Sequence, residues 1–288
     1  MPLDRFHKIL ILPALLVFMP LLIGSMLVLF QESLRPFEGG RIGGTVGADL
    51  TVQNYTHFWH PAHGSFFITT FRIGLIVTLL ALVLGYPLAH YVVRVAPPRI
   101  GKLILASLLG VLFISLVVRI YAISVTYGAV GPLRDISWLF GIDPRSRRHS
   151  EMMVVFGLLH TVLPLVTLTM IGTIQTVSPR LEEAAMSLGA PAWRTFVSVT
   201  LPLSVPGILS AGIIGYAFSI SNLVVPLLLG RGFVVMISNL IYFRFSEVGN
   251  FPSGAALSII MLVVALGIFV IGMRIVGAIW PRFERSGR

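Results

Sequence analysis

Few side chains in this sequence could do chemistry, and their spacing narrows the choice. There is no cysteine, which excludes disulfides, thiolate metal sites and a thiol nucleophile. His57, His60 and His63 recur every three residues, a spacing that could serve a metal. Pro61 interrupts the run and no carboxylate stands beside it, so the expectation is an ordinary surface loop and no metal. His90 and His160 stand alone. Neither H-E-x-x-H nor G-x-S-x-G occurs, so no catalytic residue is assigned and an intramembrane enzyme is disfavoured. Gly101-Lys102 lacks the loop of G-x-x-x-x-G-K-[ST], so the chain carries no ATP site of its own, and no cofactor is expected.

The composition says what kind of scaffold holds these groups. Of 288 residues, 56% are hydrophobic and 11% charged, and mean hydropathy is +0.93. A soluble domain carries about 25% charged residues, so this is a membrane protein. The net charge of +10 does not point to nucleic acid, because the basic residues are spread through short loops. Six stretches reach the length of about 20 residues that a membrane helix needs: 9–30, 68–93, 103–123, 152–176, 204–229 and 255–280. The first is too long for a secretory signal and reads as an uncleaved span. Together they predict one all-α polytopic membrane domain over 1–288, with both termini expected on the cytoplasmic side. Basic residues divide almost evenly between the two expected sides and orient the chain only weakly. The polar segment 31–65 reads as an outer loop, flexible in its first half, and 124–150 and 230–254 as two further outer loops.

Between the fourth and fifth stretches lies a polar-punctuated segment, 178–202. Ser178 suits an N-cap and Pro179 the first helical position. Leu181, Ala184, Ala185 and Leu188 follow at helical spacing and make one apolar stripe. Glu182 and Glu183 lie near the positive end of that helix. Gly189 can close it in a left-handed conformation and Pro191 can open a second helix, with Trp193, Phe196 and Val197 on one face. Leu201-Pro202 is expected to break the run.

Glu183-Ala184-Ala185, Gly189, Val199 and Leu201-Pro202 resemble the cytoplasmic signature of ABC importer permeases, with Val in place of Ile. Asn54-Tyr55, Gly85-Tyr86-Pro87-Leu88-Ala89, Val118-Arg119-Ile120-Tyr121-Ala122, Val225 to Gly230 and Ala184 to Gly207 resemble the spermidine/putrescine permease subfamily. The resemblance implies a six-helix type I importer permease (MetI-like) fold in a bacterial inner membrane. It implies that Glu183, Ala184, Ala185, Gly189, Val199, Leu201 and Pro202 couple the chain to an ATP-binding subunit dimer. A second permease subunit and a periplasmic solute-binding protein are the other implied partners, with the lipid bilayer around them. The implied substrate is a polyamine such as spermidine or putrescine. Relatives of this style also import opines, amino-acid-like compounds, thiamine or ferric ions.

No Asp or Glu lies well inside a predicted span; Glu32 and Glu151 stand at ends. Proton or sodium coupling usually needs such a carboxylate, which counts against a secondary transporter. A polycation path would then use aromatic rings and hydroxyls. Tyr121, Tyr216, Ser219 and Asn222 are the leading candidates, with Tyr127, Phe218 and Ser221 beside them. Packing between helices explains each of them as well. Arg72 and Arg119 are expected to snorkel at outer helix ends.

Overall fold

The structure is a computed structural model that describes residues 3–56, 58 and 61–285. Among these, twelve α-helices form and no strand. They are α1 (Leu3–Ser33), the short α2 (Gln53–Thr56), α3 (Pro61–His90), α4 (Pro98–Phe113), α5 (Leu116–Tyr127), α6 (Arg147–Thr176) and α7 (Pro179–Ser187). After them come α8 (Ala192–Thr195), α9 (Leu201–Ser221), α10 (Val224–Leu229), α11 (Ile237–Ser246) and α12 (Phe251–Arg285). A π-helical turn, Tyr91–Val95, extends α3, and another, Phe196–Thr200, joins α8 to α9. His57 and His60 lie outside the described residues, as does the side chain of His63.

Among the described residues, five helical runs are long and apolar enough to cross a membrane: Leu15–Ser33, Gly64–Val95, Arg147–Thr176, Ala192–Ser221 and Phe251–Arg274. The helix expected over 103–123 is not one rod. It is α4 and α5, bent by 95° at the junction. Ile114 and Ser115 are extended there, with ψ 134° and 130°. The Ile114 amide still donates to the Gly110 carbonyl, and the Ser115 carbonyl accepts from Arg119. One helix is thus closed and the next opened within two residues. The fifth expected run is also redrawn. It begins at Ala192 and ends at Ser221, and 224–229 is the separate helix α10. The Asn222 side chain, accepting from the Val225 amide at 2.9 Å, caps that new start.

The chain divides into two units. The first comprises Met1–Gly64 and Leu240–Val264. Here the Gly-rich stretch is tied rather than loose. Glu32 accepts from the Gly44 amide at 2.7 Å and from Arg35 at 2.9 Å. The Gly43 amide donates to the Gly249 carbonyl at 2.9 Å. Asn54 donates to the carbonyls of Ser33 and Arg35, both at 2.8 Å, which satisfies acceptors at the end of α1.

The second unit comprises Ser65–Asn239 and Ala265–Arg288. Its core is built on α6. Val154, Leu158, Val162, Val166, Met170 and Ile174 form an i, i+4 ladder of fully buried side chains. Ile73, Val77 and Ala81 of α3, Ile120 of α5, Ala211 of α9 and Val225 and Leu229 of α10 belong to the same cluster. Small residues let backbones approach. A Cβ on Gly207 of α9 would overlap the Thr173 side chain of α6. Hydroxyls in this core fold back on their own helices: Thr78 donates to the Gly74 carbonyl, Thr161 to Gly157, Thr167 to Leu163 and Ser219 to Gly215. Arg147 and Arg148 open α6, and the Ser146 side chain caps it by accepting from the His149 amide. Arg72, with its side chain half-exposed, pairs with Glu151.

Candidate coupling segment and translocation path

The segment 178–202 folds from its local sequence almost as its residue types dictate. Pro179 opens α7 behind Ser178, which stands in the extended N-cap conformation but makes no side-chain cap bond. α7 closes with Leu188 donating to the Ala184 carbonyl, Gly189 to Met186 and Ala190 to Ala185. Gly189 has φ +86°, the left-handed conformation that a residue without Cβ adopts freely. Pro191 then caps α8 at φ −68°, ψ 155°.

Leu201-Pro202 does not break the chain. Thr200 is helical at φ −68°, ψ −47°, and Pro202 sits in the first turn of α9. The π turn carries this join, because its wider hydrogen bonds accommodate a ring that lacks an amide proton.

No residue of α7 is buried. Leu188 is 90% exposed, Leu181 48% and Trp193 69%. The apolar stripe therefore faces outward, beside exposed Glu183 and Ala184 and half-buried Ala185, Val199, Leu201 and Pro202. The face expected on the second helix is split. Trp193 and Val197 are exposed, while Phe196 turns inward against Tyr86 and, edge-on, His90, with centroids at 5.7 and 4.8 Å.

Glu182 holds a different position from its neighbour. One of its carboxylate oxygens accepts from Arg94 Nε at 3.0 Å and from the Thr200 hydroxyl at 2.8 Å. Arg94 Nη2 donates to the carbonyls of Val177 and Ile174 at 2.6 and 3.2 Å. Sequence reasoning missed this cluster. The only signal was one unexplained charge at each end of an 88-residue separation.

The path candidates are not alike. Ser219 is buried and donates to its own helix at 2.7 Å. Asn222 is buried too, with its side-chain oxygen on Val225 and its carbonyl accepting from Ser238 at 2.8 Å. Tyr216 is half-buried and stacks on Phe71 at 6.5 Å. Tyr121 is 64% exposed on α5, and Tyr127 meets Phe156 edge-on at 5.8 Å. Arg119 does not snorkel: it is 9% exposed, and its Nε and Nη1 have no hydrogen-bond partner among the described residues. The buried guanidinium comes from the turn after Ser115, which points it inward alongside Ile120 and Ile123.

The family model described as "Binding-protein-dependent transport system inner membrane component" matches residues 6–285. The chain belongs to this family. The permease is 30% identical over 217 residues to the Escherichia coli spermidine/putrescine transport system permease protein PotB, covering 75% of this chain and 78% of that one. It is 28% identical over 249 residues to the trehalose transport system permease protein SugB of Mycobacterium tuberculosis, covering 84% of each. In fold it matches the crystal structure of a bacterial ABC transporter that imports the acidic polysaccharide alginate, with a TM-score of 0.68 at 19% identity, over 95% of this chain and 96% of that one. The permease thus has the MetI-like fold of ABC importer permeases, and its resemblance to the spermidine/putrescine permeases holds across three quarters of its length.

Proposed function

We propose that this permease is the membrane subunit of an importer for a polyamine such as spermidine or putrescine, driven by a separate ATP-hydrolysing subunit. The observation that carries the coupling role is the outward apolar stripe. Leu181, Leu188 and Trp193 stand on a segment whose backbone is fixed by Gly189 and Pro191, and an apolar patch of that kind marks an interface. Glu183, Ala184, Ala185, Gly189, Val199, Leu201 and Pro202 form its frame on the cytoplasmic side. A dimer of ATP-binding subunits docks there. A second permease completes the path, and a periplasmic binding protein delivers the solute on the far side.

ATP acts by binding one of two states better, which is the only way a ligand shifts a conformational equilibrium. Nothing in the mechanism asks this chain for a catalytic residue, metal or cofactor. It supplies a shaped path, in which Tyr121, Tyr216, Ser219 and Asn222 offer ring faces and polar groups to a cation. Identity to PotB supports the polyamine reading. Similarity to SugB supports a second reading, a neutral sugar handled by the same machinery. Opines, amino-acid-like compounds, thiamine and ferric ions complete the alternatives.

The test is ATP hydrolysis by the complex in proteoliposomes, titrated with binding protein loaded from a panel: putrescine, spermidine, trehalose, an opine, thiamine, ferric ion. Stimulation by the polyamine-loaded protein alone is the expected result. Stimulation by another ligand discards the polyamine and keeps the importer.

A further inference from the structure

We propose that Arg94 and Glu182 form a clip that makes α7 move as one body with the ends of three membrane helices, and that this clip sets how much solute each hydrolysed ATP moves. The proposal rests on the reading of 178–202 as the docking segment.

The starting observation is that no residue of α7 is buried. Packing therefore does little to hold this helix to the bundle, and a push on it would be lost in local bending unless something else ties it down. The polar cluster does so. At the end of α6 the Val177 carbonyl has no donor from its own helix, and the Ile174 carbonyl keeps only the shortened bond from the Val177 amide at 3.2 Å. Arg94 Nη2 supplies donors to both, at 3.2 and 2.6 Å, and a cation is favoured at that negative helix end. Arg94 Nε reaches Glu182 at 3.0 Å. Glu182 stands in the first turn of α7, the positive end, where an anion is favoured. The same carboxylate oxygen accepts the Thr200 hydroxyl at 2.8 Å, and Thr200 ends the π turn that leads into α9. Arg94 itself belongs to the π turn that closes the α3 run.

One planar guanidinium and one carboxylate thus join the ends of α3, α6 and α9 to α7. Their side chains are only 11% and 15% exposed, so screening by salt is weak. The planar fork is what lets one residue hold two carbonyls and a carboxylate at once, and a lysine ammonium on its flexible stem lacks that geometry. A sliding contact could give way as α7 is displaced, but this cluster has to move whole or break.

The experiment uses the assembled complex in proteoliposomes, stimulated by the loaded binding protein that the panel identifies. It records co-purification of the ATP-hydrolysing subunit, ATP hydrolysis and solute uptake. Glu182→Gln keeps the shape and the acceptor for Thr200 but removes the charge. Assembly is expected to persist and uptake per ATP to fall roughly tenfold, within the range by which coupling networks are tuned. Arg94→Lys should fall with it. Arg94→Met/Glu182→Leu should be no worse than either single change, because the two residues act as a unit. Uptake per ATP within about twofold of the parent in the assembled Glu182→Gln complex overturns the clip. Loss of assembly in that variant overturns it too, because Glu182 would then be a docking residue.

A second arm guards against misfolding. The chain has no cysteine, so Arg94→Cys/Glu182→Cys carries this chain's only two thiols, which a short bis-maleimide can bridge by adding one thiol at each end. Bridging should restore uptake per ATP in the same preparation. Bridged protein that stays uncoupled overturns the proposal. Failure of the docking reading is seen separately, as assembly that survives Leu188→Asp/Trp193→Asp.

Discussion

At the scale of single residues, Gly189 isolates backbone conformation from packing. Its φ is +86°, and a Cβ built there meets nothing within 4 Å. A substitution is therefore strained without being crowded. Gly189→Val should cost about 1–3 kcal/mol in the turn and lower uptake at equal expression, while Gly189→Asn, which tolerates left-handed backbone, should recover most of it. Equal uptake in the parent and the valine variant would show that the turn does not matter to transport. Glu182 and Glu183 make the complementary point. Adjacent and chemically identical, they differ because one lies over Arg94 and the other faces out. Arg119 is the counterpart in the core, a permanent cation that is buried with two nitrogens that have no hydrogen-bond partner among the described residues.

At the scale of elements, the contact of α6 with α9 depends on what is missing from Gly207. A methyl group there meets the β-branched Thr173 side chain, whose hydroxyl is committed to the Thr169 carbonyl at 3.2 Å. Gly207→Ala should destabilise the detergent-solubilised chain by about 1–3 kcal/mol through overpacking. Gly172→Ala on α6, where a Cβ meets nothing within 4 Å, should leave the melting temperature unchanged or raise it. The long helices and the Ser178-Pro179 and Gly189-Pro191 punctuation are legible in the sequence because hydropathy and turn chemistry act locally. The bend at Ile114-Ser115 is not, since no Gly or Pro marks it and a β-branched residue is at home in a membrane helix. Pro202 misleads for a related reason. Its ring removes a backbone donor, and only the π geometry before it shows how that loss is absorbed. The Arg94 cluster was out of reach, because a pairing across 88 residues follows from how α3, α6 and α7 converge.

At the scale of the whole molecule, the exposed stripe separates folding from assembly. Leu188 and Trp193 contribute nothing to the core, so Leu188→Asp/Trp193→Asp should leave the melting of the isolated chain within about 0.5 kcal/mol of the parent. The same variant should fail to co-purify the ATP-hydrolysing subunit. If it unfolds instead, the stripe belongs to the fold. The path candidates are less legible than this surface, since a tyrosine or serine between membrane helices serves packing and passage equally well. The hydroxyls folded back in the core have a mechanical meaning as well. Each of Thr78, Thr161, Thr167 and Ser219 gives its only proton to its own helix, so these bonds travel with the rod that carries them. Helices can then slide past one another without rupturing these four bonds, and friction at those contacts is set by side-chain shape.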